Sequence, residues 1–206
     1  MAEAVTSGPA PVAPMARTPT RMRDLADADV VTPAEAVPES WANGLGVTRV
    51  LATRLAWRLS IADLRGRMSF SSYPGVERVL IPLSAPSVVL TVDGVDHRVT
   101  RERGIRFAGE ARVVASAERG GLSVLNLMVK RGLAAPTYRI DRVRGGTVVD
   151  TSTTLAVLLE GTATVDGLPL PPGSALLPGT RSRSIVCESA LLARFDIVPA
   201  GSDAPL

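Results

Sequence analysis

At 206 residues, with 46% hydrophobic but only 3% aromatic side chains, the chain can form one large domain or two small ones whose cores are filled by Val, Leu, Ile and Ala. Its formal charge of +3 is spread over scattered arginines with few aromatic residues among them, Lys130 being the only lysine, and this argues against nucleic-acid binding. No apolar run reaches the ~20 residues of a membrane span, and Cys187, as the single cysteine, excludes an intrachain disulfide and fits a reducing cytoplasm.

Residues 1–27 are rich in Ala and Pro and read as a disordered tail, or as sequence upstream of a start at Met15 or Met22. The first 40 residues hold three arginines against six carboxylates, a balance of −3, so the remainder carries +6. Order is expected from about residue 28, with Val30-Val31 as a first strand. WANGLG (41–46) is a run of turn formers, and VTRVLAT is the strand after it. WRLSIAD (57–63) has a period of two that places Trp57, Leu59 and Ile61 on one face and Arg58, Ser60 and Ala62 on the other. RGRMSFSS reads as a loop, YPG as a turn and ERVLIPL as a strand with Arg78, Leu80 and Pro82 on one face.

SVVLTVDG and DHRVTRERG follow, with Asp93-Gly94 as a hairpin signal. LSVLNLMVKRG (122–132) is a further strand, in which Asn126 shares a face with Val124, Met128 and Lys130. LAAPT (133–137) reads as a linker. A second set of strands comes next: YRIDRVR, GTVVDT, TLAVLLEGTATVDG, SALLPG, SRSIVCE and ALLARFDIV. No segment repeats apolar residues at helical spacing over many turns, so the fold class is all-β.

TVDG occurs twice, ending at Gly94 and Gly167, each time followed by another glycine (Gly104, Gly173) and then by an apolar residue. Strand, turn and strand surround both copies, which points to two similar lobes. The boundaries expected are 1–27 for the tail, 28–132 for the first lobe and 137–199 for the second.

LLEGTATVDGLPLPPGSALLPGT, with Gly161, Gly167, Pro171 and Gly173, resembles the cupin pattern of glycine hairpins and a Pro-x-Gly turn. Cupins often hold a metal with two or three histidines. His97 is the sole histidine here, so a site of that kind is excluded within one chain, and neither a metal nor another cofactor is expected. Five pieces resemble the HutD/Ves family in order: WANGLGVTR (41–49), WRLSIAD (57–63), FSSYPGVER (70–78), RFAGE (106–110) and LNLMVKRG (125–132). The resemblance implies a bicupin, two tandem cupin-type β-barrel lobes in one chain. It also implies a small-ligand binder or regulator, with a pocket in the first lobe and a tie to histidine or amino-acid catabolism.

The segment Trp41–Arg78 sets polar groups of defined donor geometry among its turns and strands, more than a plain barrel needs. The candidate ligand residues are Asn43, Thr48, Arg58, Ser60, Arg78 and Asn126. Arg78 could fork a carboxylate, or pair with Glu77 or Glu110 at a barrel rim. Asn126 in an apolar strand needs partners for its amide. Asn43 could cap its own turn, and Thr48 and Ser60 could pair across strands. Trp41 and Trp57 are expected to anchor the core. The expectation is a cytoplasmic protein that binds a small carboxylate metabolite without turning it over. The alternatives are a metal-free isomerase or lyase using His97 or Glu110 as base, and an interaction protein that forms a homodimer through strand edges.

Overall fold

The computed structural model describes residues 30–41, 46–116 and 121–201. The expected tail, and with it Asn43, lies outside the described residues. Among those residues every regular element is a strand. In chain order they are β1 (Val30–Val31), β2 (Pro38–Ser40), β3 (Gly46–Thr53), β4 (Trp57–Leu64), β5 (Arg67–Ser69), β6 (Val76–Pro82), β7 (Ser87–Val92) and β8 (Val95–Thr100). There follow β9 (Ile105–Ala108), β10 (Val113–Ser116), β11 (Leu122–Lys130), β12 (Ala134–Val149), β13 (Leu155–Val165), β14 (Leu168–Leu170), β15 (Ala175–Leu176) and β16 (Arg183–Pro199).

Three antiparallel sheets result. One has the order β2-β3-β4-β11-β6-β9, the second β5-β10-β7-β8, and the third β1-β15-β13-β16-β12 with β14 paired to β13. The first two sheets close on a shared interior in which Leu64, Leu80 and Val124 meet Met68, Leu90 and Val113. Together they make the first lobe. The third sheet makes the second lobe, around Leu158, Val165, Ile185 and Leu192. Between the lobes lies a third apolar layer, where Leu59, Ile61 and Leu127 pack on Val157, Leu159 and Phe195. The central strands β4, β6 and β11 are thus buried on both faces. Each large side chain so enclosed contributes about 1.5–3 kcal/mol relative to exposure.

The sequence echo has a structural counterpart. Asp93-Gly94 and Asp166-Gly167 both form two-residue hairpin turns, with φ of 48° and 87° in one and 50° and 79° in the other. Consecutive left-handed residues match the twist of the flanking strands, and Asp-Gly supplies them. Gly104 and Gly173, the second glycines of the echo, are also left-handed, at 61° and 86°. Both stand where the lobes touch: a Cβ on Gly104 would come within 3.3 Å of the Tyr138 hydroxyl, and one on Gly173 within 3.1 Å of Ile61.

Several segments differ from the sequence expectation. Val30-Val31 is a strand, but it pairs with Leu176 and Ala175 and so joins the sheet of the second lobe. LAAPT is no linker beyond its first residue, because Ala134 already begins β12. Pro136 is tolerated there because β12 is an edge strand with no ladder bond to lose on its outer side. YRIDRVR and GTVVDT are one strand, since the register shift at Arg144/Gly145 absorbs the glycine pair as a bulge. SRSIVCE and ALLARFDIV are likewise continuous in β16. The loop expected at RGRMSFSS contains β5, which pairs with β10.

Candidate anion site in the first lobe

The strand alternation sends Arg58, Ser60 and Ala62 of β4, Val124, Asn126 and Met128 of β11, and Arg78 and Leu80 of β6 to the interior of the first lobe. The registers set them in rows across the sheet. Ser60, Asn126 and Leu80 are neighbours in one row, and Arg58, Met128, Arg78 and Phe107 in the next. Toward one end the face is apolar, with Ala62, Leu64 and Val124. Toward the other it carries Ser60, Asn126 and the cations.

Arg78 is 5% exposed. Its Nε and Nη2 both donate to Asn126 Oδ1, at 3.2 Å each, and its Nη1 donates to the Ser71 carbonyl at 3.4 Å. The guanidinium lies 4.9 Å from the Phe70 ring, 5.2 Å from Phe107 and 5.8 Å from Tyr73. Ring faces attract a cation and partly replace the water it has lost. Burial pushes the Arg78 pKa down to about 10, with Tyr73 acting in the opposite direction. At neutral pH the group therefore remains a cation.

Neither carboxylate that the sequence offered to Arg78 reaches it. Glu77 accepts from Arg106 at 2.7 Å, and Glu110 pairs with Arg131. Among the described residues no carboxylate forms an ion pair with Arg78. A buried charge without a counter-charge is costly, and the acceptors of Arg78 among the described residues are two neutral amide oxygens, Asn126 Oδ1 and the Ser71 carbonyl. Because Asn126 Oδ1 faces Arg78, its Nδ2 points elsewhere, and it donates to no described residue. The spot is rich in donors and poor in acceptors, which is the chemistry of an anion site.

The other expected residues divide. Ser60 is buried beside Asn126 and donates to its carbonyl at 3.4 Å, a long bond. Arg58 shares the row of Arg78, with Met128 between them, and stands 3.7 Å from Glu39. Thr48 pairs with Ala62, toward the apolar end, and its hydroxyl accepts the Trp41 indole N–H at 2.8 Å. Ser60, Arg58, Arg78 and Asn126 are thus brought together, while the Thr48 hydroxyl is engaged by the Trp41 indole. Trp57 is buried in the interlobe layer and Trp41 packs on the first-lobe interior. His97 is exposed on β8, and Cys187 is buried with its thiol 3.7 Å from the Val143 carbonyl. Among the described residues no cluster of three or more His, Cys, Asp or Glu is placed to hold a metal ion.

The sequence reading missed the aromatic cage. The whole chain has three Phe, two Tyr and two Trp, and three of these seven rings surround one guanidinium. That scarcity was the available signal, since Phe70 and Tyr73 stand within eight residues of Arg78. Outside the cage is a surface depression walled by Trp57, Arg58, Tyr73, Met128 and Lys130, with Arg54 over the Trp57 ring at 5.7 Å. Tyr73 belongs to both the cage and the depression.

A family model described as HutD matches residues 33–178. Protein Ves of Citrobacter koseri is 38% identical over 123 residues, covering 52% of this chain and 64% of that protein. The match thus spans just under two thirds of the relative's length. Among solved structures, the conserved protein PA5104 of Pseudomonas aeruginosa PAO1, of unknown function, has a TM-score of 0.72 at 22% identity, over 85% of this chain and all of that one. HutD of Pseudomonas fluorescens SBW25 has a TM-score of 0.69 at 22% identity, over 84% of this chain and all of that one. A cupin barrel protein of Leptotrichia buccalis has a TM-score of 0.57 at 12% identity, over 84% and 98%. These likenesses establish the cupin fold, and the family match, across both lobes and most of the chain, shows that the protein belongs to the HutD/Ves family.

Proposed function

We propose that the protein is a cytoplasmic binder of a small carboxylate metabolite, acting without turnover in a regulatory role linked to histidine or amino-acid catabolism. The observation that carries this reading is the buried, aromatic-caged guanidinium of Arg78, which has no carboxylate partner among the described residues. A bound carboxylate supplies the missing charge and accepts from Arg78 and from Asn126 Nδ2. The Pseudomonas fluorescens HutD was solved in a formate condition, and formate is the smallest carboxylate. The pathway and the regulatory role rest on family membership alone.

The test is thermal unfolding against a panel of small carboxylates. At least one member should raise the melting temperature, and Arg78→Ala should abolish the rise while the variant still unfolds cooperatively. A flat response across the panel sinks the reading. An enzyme using His97 or Glu110 gains no support from the geometry, because one is exposed on β8 and the other is tied to Arg131 outside the cage.

A further inference from the structure

We infer that two copies of the chain pair through β12, edge to edge and antiparallel, about a two-fold axis at Ile140. β12 is 16 residues long and borders the sheet of the second lobe, with β16 on one side and no strand on the other among the described residues. The other border strands, β1, β2, β5, β8, β9 and β14, are far shorter, β8 being the longest at 6 residues. An unpaired edge as long as β12 presents a row of backbone donors and acceptors to any strand that fits it. Its regular stretch is 137–144. Pro136 bounds it on one side, having no N–H and a carbonyl that accepts from Arg106 at 3.5 Å, and the bulge at Gly145 bounds it on the other.

The charges of this stretch select both the occupant and the register. A strand that pairs with its own copy about a two-fold sets one residue opposite itself, and residues equally spaced around it opposite each other. Centred on Ile140, Arg139 of each copy faces Asp141 of the other, Tyr138 faces Arg142, and Thr137 faces Val143. Two attractive ion pairs then flank the axis, and a ring meets a guanidinium on either side of them. Centres at Arg139, Asp141, Arg142 or Arg144 would set a charge against its own copy. A centre at Val143 would set Arg142 against Arg144 twice, and centres at Thr137 or Tyr138 would bring Pro136 into the ladder. The side chains are within reach of a second copy, Arg139 being 55% exposed and Asp141 42%. Asp141 already gathers cations, with Arg194 at 2.6 Å and its own Arg139 at 3.4 Å, and a carboxylate has acceptor sites for one more. Charges on an edge strand normally deter strand addition. Here their alternation deters the wrong registers and fits a second copy of the same edge, so that the second-lobe sheets of the two chains join into one.

Sedimentation velocity on the full chain should show a species of twice the single-chain mass. Arg139→Glu sets like charges opposite each other twice and should weaken the dimer at least about tenfold. Arg98→Glu, an equally exposed reversal on the β8 edge, should leave it intact. Crosslinking reads the register. A residue that meets its own copy has Cα atoms ~4.5–5.5 Å apart, within disulfide reach. In a Cys187→Ala background, Ile140→Cys should therefore oxidise to a covalent dimer and Arg142→Cys should not. A wild-type chain that stays monomeric, a dimer that Arg139→Glu leaves intact, or one that Arg98→Glu dissociates overturns the inference. Crosslinking through Arg142→Cys in preference to Ile140→Cys overturns it as well.

Discussion

Each lobe buries an arginine, and the two lobes satisfy it in opposite ways. The sheets correspond: β11 lies between β4 and β6, and β16 lies between β12 and β13. In the first lobe Ser60, Asn126 and Leu80 form one row and Arg58, Met128 and Arg78 the next. In the second lobe Asp141, Leu192 and Leu158 form the matching row, followed by Arg139, Arg194 and Ala156. The side chain of Arg194 is 7% exposed, and it donates to Asp141 at 2.6 Å and to the Thr147 hydroxyl at 2.7 Å. A carboxylate thus stands in the row position where the first lobe has Ser60. The second lobe neutralises its buried cation from within. The first surrounds it with rings and an amide, and no carboxylate among the described residues pairs with it.

The largest expected effect is on binding. Arg78→Met should weaken whichever carboxylate stabilises the protein by about 100-fold, roughly 2.7 kcal/mol, as expected for losing more than one charge-assisted bond. Calorimetric titration measures it, and undiminished affinity would show that the cage is only structural. Stability separates the lobes next. Arg194→Met removes one partner of an ion pair and should cost about 1–3 kcal/mol, less than a fully buried pair because Asp141 is 42% exposed. Arg78→Met in the absence of ligand should change stability by less than about 1 kcal/mol, because the relief of an uncompensated charge offsets the bonds lost at Asn126. Urea denaturation reads both, and equal costs would erase the distinction between the lobes.

The sequence showed the all-β class, both hairpins and the inward row of β4 and β11, because period two and Asp-Gly turns are local signals. It showed Arg78 and Asn126 as polar residues in apolar strands, but not that they touch, since 48 residues separate them and only the register joins them. The continuity of β12 and β16 was hidden because Gly145-Gly146 reads equally as a turn or a bulge, and the partner strand decides. The capture of Val30-Val31 by the second lobe was hidden for a related reason. Two valines state that a strand exists, and its partner, β15, lies about 145 residues later. Arg194 was passed over because ALLARFDIV looks like a plain core strand, and its carboxylate partner comes from another element.

Two smaller effects probe the same contrast. Asn126→Asp places a carboxylate at the oxygen that already accepts from Arg78, which imports the solution of the second lobe into the first. The ligand-free protein should gain about 1 kcal/mol in urea denaturation, and carboxylate affinity should fall about tenfold. A variant that binds as well as wild type would mean that the missing counter-charge is not what the ligand supplies. The pH response is the subtlest. Arg78 has a folded pKa depressed to about 10 by burial. Its desolvation cost is therefore present in full below that value and is relieved as pH rises through it. A carboxylate favours the protonated form, so affinity should be level from about pH 6 to 9 and decline as pH passes about 10. In the Asn126→Asp variant the added carboxylate raises the Arg78 pKa, so whatever affinity remains should stay level past that point. Binding by wild type that is equally strong on both sides of pH 10 would separate the ligand from the Arg78 charge and leave the two lobes alike.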